Sequence, residues 1–339
     1  MKRSPVVLAG TVTALSLLFA GCASGAAPSG QTSSQPSESS SPASSAPVKE
    51  YKIGITQIVS HASLDAAREG FKQAFADAGL EVTFDEQNAQ GDQATATNIA
   101  NKFNSAGLDL VLAIATPTAQ ASAQVITTTP VLFTAVTDPV AAQLVASAEA
   151  PGGNVTGTSD LNPVAEQIAL VKKVAPNAKM VGVLYSSGEV NSEVQVKLAR
   201  EAAAAEGLEL VEKTITATGE VQQAASSLDV DAIYVPTDNN VVAGLEAVIQ
   251  VAESRKIPLI AGEGDSVAKG ALITYGIDYT KLGYQTGQMA IRILTEGADP
   301  ATMPVETLKD VSLVVNQDAA ARMGVELPAD LLAQAQVVG

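Results

Sequence analysis

The chain has 339 residues, 46% hydrophobic and 17% charged, a balance that suits a well-filled α/β protein with room for two domains of ordinary size. A formal net charge of −16 speaks against binding nucleic acid or an acidic membrane surface through the folded part. One Cys excludes an internal disulfide and a zinc–thiolate cluster, one His disfavours a His-based metal site, and no cofactor or metal is expected.

Met1-Lys2-Arg3 is basic, Val6 to Phe19 is apolar, and Ala20-Gly21-Cys22 follows. A basic start, a short apolar core and small residues at the cut describe a secretory signal over residues 1–21, too short for a comfortable membrane span. The only Cys stands where the cut would fall. The stretch resembles a bacterial lipoprotein signal, which implies a lipid on Cys22, although Phe19 stands where that pattern prefers Leu. Residues 22–50 are almost wholly Ser, Ala, Pro and Gly between Ala23 and Pro47. Such a segment buries too little apolar surface to offset its ordering entropy and reads as a flexible tether.

The body opens with a strand at Ile53-Gly54-Ile55-Thr56, a helix from Asp65 to Ala78, a stop at Gly79 and a new strand at Leu80. Leu110 to Gln120 and Val131 to Val140 each begin as an apolar run without alternation, the pattern of a parallel strand covered on both faces. Each run ends in a turn of small hydroxyl or carboxylate residues.

Later come Val181 to Tyr185, a helix from Ser192 to Ala205, Gly207 and Leu208 (181 − 53 and 208 − 80 both equal 128). Pro130 and Pro258 repeat that offset. Two similar doubly wound Rossmann-like lobes are therefore expected. Lobe I is placed at residues 51–157 with 280–310 returning to it, and lobe II at 158–279 with 311–339 returning to it. The turn-rich Pro151 to Gly157 suits a hinge, which the later crossings make multi-stranded.

Seven segments resemble one family in order: Ile53 to Phe71 (IGITQIVSHASLDAAREGF), Gln87 to Asp92 (QNAQGD), Ala113 to Gln120 (AIATPTAQ), Phe133 to Pro139 (FTAVTDP), Pro151 to Gly157 (PGGNVTG), Tyr234 to Asn239 (YVPTDN) and Tyr275 to Tyr279 (YGIDY). They are similar to the substrate-binding lipoproteins of bacterial ABC transporters with the type I periplasmic binding protein fold, in the branch that includes tryptophan- and tyrosine-binding members. The resemblance implies two lobes closing on an amino acid or similar solute and delivering it to an ABC permease and its ATPase.

In open α/β sheets ligands lie outside the carboxyl ends of the strands. The strand-end loops supply Gln57, His61, Ser63, Leu64, Thr116, Pro117, Thr118, Thr137 and Asp138 from the first lobe. Tyr185, Asn191, Thr237, Asp238, Asn239, Glu263 and Asp265 come from the second, with Tyr275 and Asp278 from the return strand. The named residues include five carboxylates and no Lys or Arg, which matches an ammonium group. A ligand carboxylate would need hydroxyls and helix N-terminal N–H groups. Asp138 or Asp278 is expected to bind the ammonium, and Tyr185 and Tyr275 to line the side-chain end. Helix capping competes as the role of Thr116, Ser63 and Asp138. Asp278 and Tyr279 could instead be hinge residues. His61 is an exposed loop residue on this reading, either touching ligand or merely solvated.

No Gly-x-Ser-x-Gly elbow and no phosphate-binding glycine loop is present, and Ser60 or Ser63 lies too near His61 in sequence to form an ordered triad. A non-enzyme follows: a monomeric solute receptor of an ABC importer, lipid-anchored on the outer face of the cell membrane. A lipoprotein that senses the solute and signals without transport is the alternative.

Overall fold

A computed structural model describes residues 49–339 of the chain; the signal, Cys22 and the tether lie outside them, apart from its last two residues. The elements in chain order are β1 (Tyr51–Gln57), α1 (Ala62–Asp77), β2 (Val82–Asn88), α2 (Gln93–Ser105), β3 (Leu110–Ile114), α3 (Thr116–Val125), β4 (Val131–Val136) and β5 (Val155–Ser159). Then follow α4 (Val164–Val174), β6 (Met180–Ser186), α5 (Val190–Ala205), β7 (Glu209–Ile215), α6 (Val221–Ser226), β8 (Ala232–Val235), α7 (Asn239–Ala243), α8 (Leu245–Arg255), β9 (Leu259–Ala261), α9 (Gly264–Lys269) and β10 (Ile273–Gly276). The last are α10 (Tyr279–Glu296), β11 (Glu306–Thr307), β12 (Ser312–Asn316), α11 (Gln317–Met323), α12 (Ala329–Leu332) and β13 (Gln336–Val338).

Two sheets result, in the orders β11-β5-β4-β3-β1-β2 and β13-β12-β10-β9-β8-β6-β7. All pairings of the first sheet are parallel, and in the second only β10 with β12 is antiparallel. Helices on the sheets close two separate cores, one around Phe71, Phe75 and Leu112, the other around Tyr234, Val183 and Ile260. β3 is buried at every position, as its unbroken apolar run requires. This is the α/β fold of two doubly wound lobes expected from the sequence.

Local chemistry repeats between the lobes. Gly79 and Gly207 both take φ near +65° (+64° and +66°), and the residue after each donates back to Phe75 O or Ala203 O, closing α1 and α5 alike. Pro130 O accepts from Val111 N, and Pro258 O from Ile233 N, each at 2.9 Å.

The expected boundary needs one correction. Val155 to Gly157 pairs with β4 inside the first sheet, so Pro151 to Gly157 is not the crossing. The chain passes between lobes at Asp160–Pro163, Ile277–Asp278 and Leu308–Val311. Two of these crossings are tied together: Asn162 Oδ1 accepts from Ile277 N at 3.1 Å. α10 returns to the first lobe and lies against α1, where glycines allow near contact; a Cβ on Gly283 would stand 1.8 Å from Ala67 O.

Candidate functional site: a cleft between two lobes

Both sheets follow the 2-1-3-4-5 winding order, whose ligand crevice lies beyond the carboxyl ends of the strands. There the lobes face each other across a narrow cavity of about 10 Å³. Its walls come from His61, Ser63 and Ala135 on one side and Asn191, Asn239 and Glu263 on the other, with Asp160 and Tyr279 at the crossings. Leu64 and Val242 add apolar surface, and no Lys or Arg lines it.

In the first lobe His61 precedes α1 with an extended backbone and no capping bond from its side chain. It is buried, not exposed as the sequence suggested, and burial pushes its pKa down to about 4. The ring is therefore neutral at neutral pH, and Nδ1 has no partner. Ser63 Oγ and Thr116 Oγ1, in the first turns of α1 and α3, are also buried without a well-aligned hydrogen bond. Ala115 and Ala135, at the ends of β3 and β4, hold φ of 80° and 55°. Left-handed alanines cost on the order of 1–3 kcal/mol each, and such strain gathers at ligand sites.

In the second lobe Glu189 precedes α5 and is buried. Its Oε2 accepts from Asn191 Nδ2 at 2.9 Å and Asn239 Nδ2 at 2.6 Å, and its Oε1 from Asn240 Nδ2 at 3.0 Å. Burial, then the neighbouring Asp238, push its pKa up to about 8. Asp238 caps α7 through Val241 N at 2.8 Å and also takes Ser186 N and the Ser192 hydroxyl; burial raises its pKa. Glu263 caps α9 through Ser266 N at 3.0 Å, and burial, then Asp265, raise its pKa.

The crossings contribute the remaining carboxylate. Asp160 Oδ2 accepts from Tyr279 Oη at 2.6 Å and Oδ1 from Thr137 Oγ1 at 3.3 Å, while burial holds its pKa up. Gln195 Nε2, on α5, donates to Thr237 Oγ1 at 2.7 Å and reaches Thr137 Oγ1 of the other lobe at 3.4 Å.

The sequence placed His61, Ser63, Leu64, Asn191, Thr237, Asn239 and Glu263 at this cavity, and they line it. Thr137 and Asp238 stand just behind the wall. Asp138 does not line it: its carboxylate takes Val140 N and Ala141 N of its own turn. Asp278 caps α10 through Lys281 N and, with Asp265, faces a separate hollow beside the hinge. Neither lines this cavity. Tyr185 directs its hydroxyl to Glu212 on β7, and Tyr275 packs at the edge of the second core, so neither lines the cavity. Gln57 is held by Val59 O and Asp65, Thr118 bonds back to Ile114 O, and Pro117 is buried in the first turn of α3. Asp160, Glu189 and Gln195 were not anticipated.

Residues 52–338 match the family model of the ABC transporter substrate binding protein. The chain belongs to that family. A tyrosine-binding protein of Clostridioides difficile (strain R20291) is 47% identical over 276 residues, covering 80% of each chain. A Streptococcus pneumonia ABC domain in complex with L-Trp shares 37% identity with a TM-score of 0.83, covering 86% of this chain and 100% of that one. The ligand-free, open structure of a Clostridium difficile substrate-binding protein with adhesive properties shares 46% identity at a TM-score of 0.64, covering 85% and 99%. In this substrate-binding protein, as in the family, the type I periplasmic binding fold sets two lobes around a cleft.

Proposed function

We propose that the protein binds a zwitterionic aromatic amino acid between its lobes and delivers it to an ABC permease and its ATPase. It acts as a monomer outside the cell, held at the membrane by a lipid on Cys22. The observation that carries the ligand class is the charge of the cavity: two buried carboxylates, Asp160 and Glu263, with no Lys or Arg among the lining residues. Buried carboxylates without a cation are costly, and a ligand ammonium supplies the missing partner. The ligand carboxylate is met by neutral donors, the N–H groups opening α1 and α3. Leu64, Val242 and Tyr279 receive the side chain.

The space is narrow, so an aromatic side chain enters only when the walls part. The L-Trp complex resembles this arrangement more closely than the open relative does, despite its lower identity, which supports reading the lobes as closed.

Native mass spectrometry of the purified protein tests the proposal. A retained mass equal to tyrosine, tryptophan or phenylalanine is expected, and a retained sugar or anion with no amino-acid binding would overturn it.

A further inference from the structure

We infer that Glu189 orients the amides of Asn191 and Asn239 so that the second lobe presents hydrogen-bond acceptors to the cavity, and that this wall selects an occupant whose side chain carries an N–H or O–H donor. The inference rests on the amino-acid reading and deepens it.

Asn191 Nδ2 faces Glu189 Oε2 at 2.9 Å, Thr237 O at 3.1 Å and Ser192 Oγ at 3.3 Å. Its nitrogen is thereby fixed among acceptors, and its Oδ1 is left buried at the cavity wall with no partner. Asn239 is held in the same sense, with Nδ2 on Glu189 Oε2 at 2.6 Å and its backbone N on the same oxygen at 3.2 Å. Reversing either amide would set an oxygen against Glu189 Oε2, which accepts from every other neighbour it meets. On the opposite wall His61 stands against the Asn239 side chain with Nδ1 unpartnered. Glu189 does not itself line the cavity; it is a positioning residue acting through the two asparagines.

A buried amide oxygen without a donor loses its hydration and gains nothing in return. The ligand ammonium does not fill this role, because the carboxylates of Asp160 and Glu263 attract it more strongly than a neutral amide does. The Asn191 oxygen is therefore left for a second donor at the other end of the ligand, such as a phenol or an indole N–H. A phenyl or aliphatic side chain would leave it unpaired, the situation in which polar sites discriminate most sharply.

The test is calorimetric titration with two matched pairs: L-tyrosine against L-phenylalanine, and L-tryptophan against 1-methyl-L-tryptophan. The wild-type protein should bind the donor-bearing member of each pair roughly 10- to 100-fold more tightly. Glu189→Leu, which removes the oxygen that orders the two amides, should bring each ratio to within about threefold, as should Asn191→Leu, which removes the acceptor together with its amide nitrogen. If Glu189→Leu fails to fold, Asn191→Leu decides. Equal wild-type affinities within each pair, or ratios unchanged in the variants, would overturn the inference while leaving the amino-acid reading in place. Failure of all four ligands to bind would overturn both.

Discussion

His61 and Glu189 occupy one position in two copies of a fold: each immediately precedes the helix after the first strand of its lobe, both are buried, and the Asn239 side chain faces one and donates to the other at 2.6 Å. The same offset relates Ser63 to Asn191 and Ala135 to Glu263, all of which line the cavity. The cleft is thus built from paired positions whose residue types have diverged. The first lobe offers a neutral imidazole and hydroxyls, the second carboxylates and amides.

Asp160 should dominate recognition of the ammonium. Asp160→Asn keeps the size and the acceptor for Tyr279 Oη but removes the charge; losing a buried charge partner costs about 3 kcal/mol or more, so amino-acid affinity should fall roughly a hundredfold. Asp138→Asn should change it by less than about threefold, because Asp138 only caps its own turn. Titration calorimetry on both variants checks the contrast, and the reverse order would return the role to Asp138.

Stability should fall as pH rises from 6.5 to 8. Glu189, with a pKa raised by burial to about 8 from 4.5, keeps its proton in the folded protein where the unfolded chain has lost it. Its contribution is complete below pH 4.5 and is lost as pH climbs through 8. His61 works in the opposite sense, adding stability as pH rises from about 4 to 6.5, and is neutral in both states above that. Thermal unfolding between pH 6.5 and 8 should show a declining midpoint in the wild type and a flatter one in Glu189→Gln. Equal slopes would mean that Glu189 does not titrate between the folded and unfolded states in this range.

Much of this was readable beforehand because the code was local. Glycines at helix ends, prolines before β4 and β9 and unbroken apolar strands named two equivalent halves, and strand-end loops named Ser63, Asn191, Thr237, Asn239 and Glu263. What escaped depends on distant partners: Asp160 acquires its place from Tyr279, 119 residues away. Asp138 and Asp278 were misjudged because a capping aspartate and a ligand-binding one look alike in sequence; their backbone partners lie two and three residues on. The left-handed Ala115 and Ala135 leave no sequence signal, since alanine itself gives no hint of positive φ.

The α1–α10 contact is a stability determinant remote from ligand chemistry. Gly283→Ala would place a methyl group 1.8 Å from Ala67 O, and Gly70→Ala one 2.0 Å from Thr280 O, so the helices must separate. Overpacking of this kind costs on the order of 3 kcal/mol, and each variant should lower the unfolding midpoint by roughly 5 °C or more. Differential scanning calorimetry decides; an unchanged midpoint would mean that the crossing yields without cost.

Membrane attachment should depend on Cys22. Cys22→Ala is expected to leave the membrane fraction for the medium, or to remain unprocessed, when cells are fractionated. A processed Cys22→Ala protein retained at the membrane would contradict lipid anchoring.

A cavity with buried carboxylates and no Lys or Arg among its lining residues should read the ammonium of an amino acid. Titration of L-tyrosine and L-tryptophan against their N-acetyl forms tests it most directly. Acetylation removes the positive charge and leaves the carboxylate and side chain in place, so affinity should drop roughly a hundredfold or more. Acetylated and free forms binding equally well would show that Asp160 and Glu263 do not recognise an ammonium.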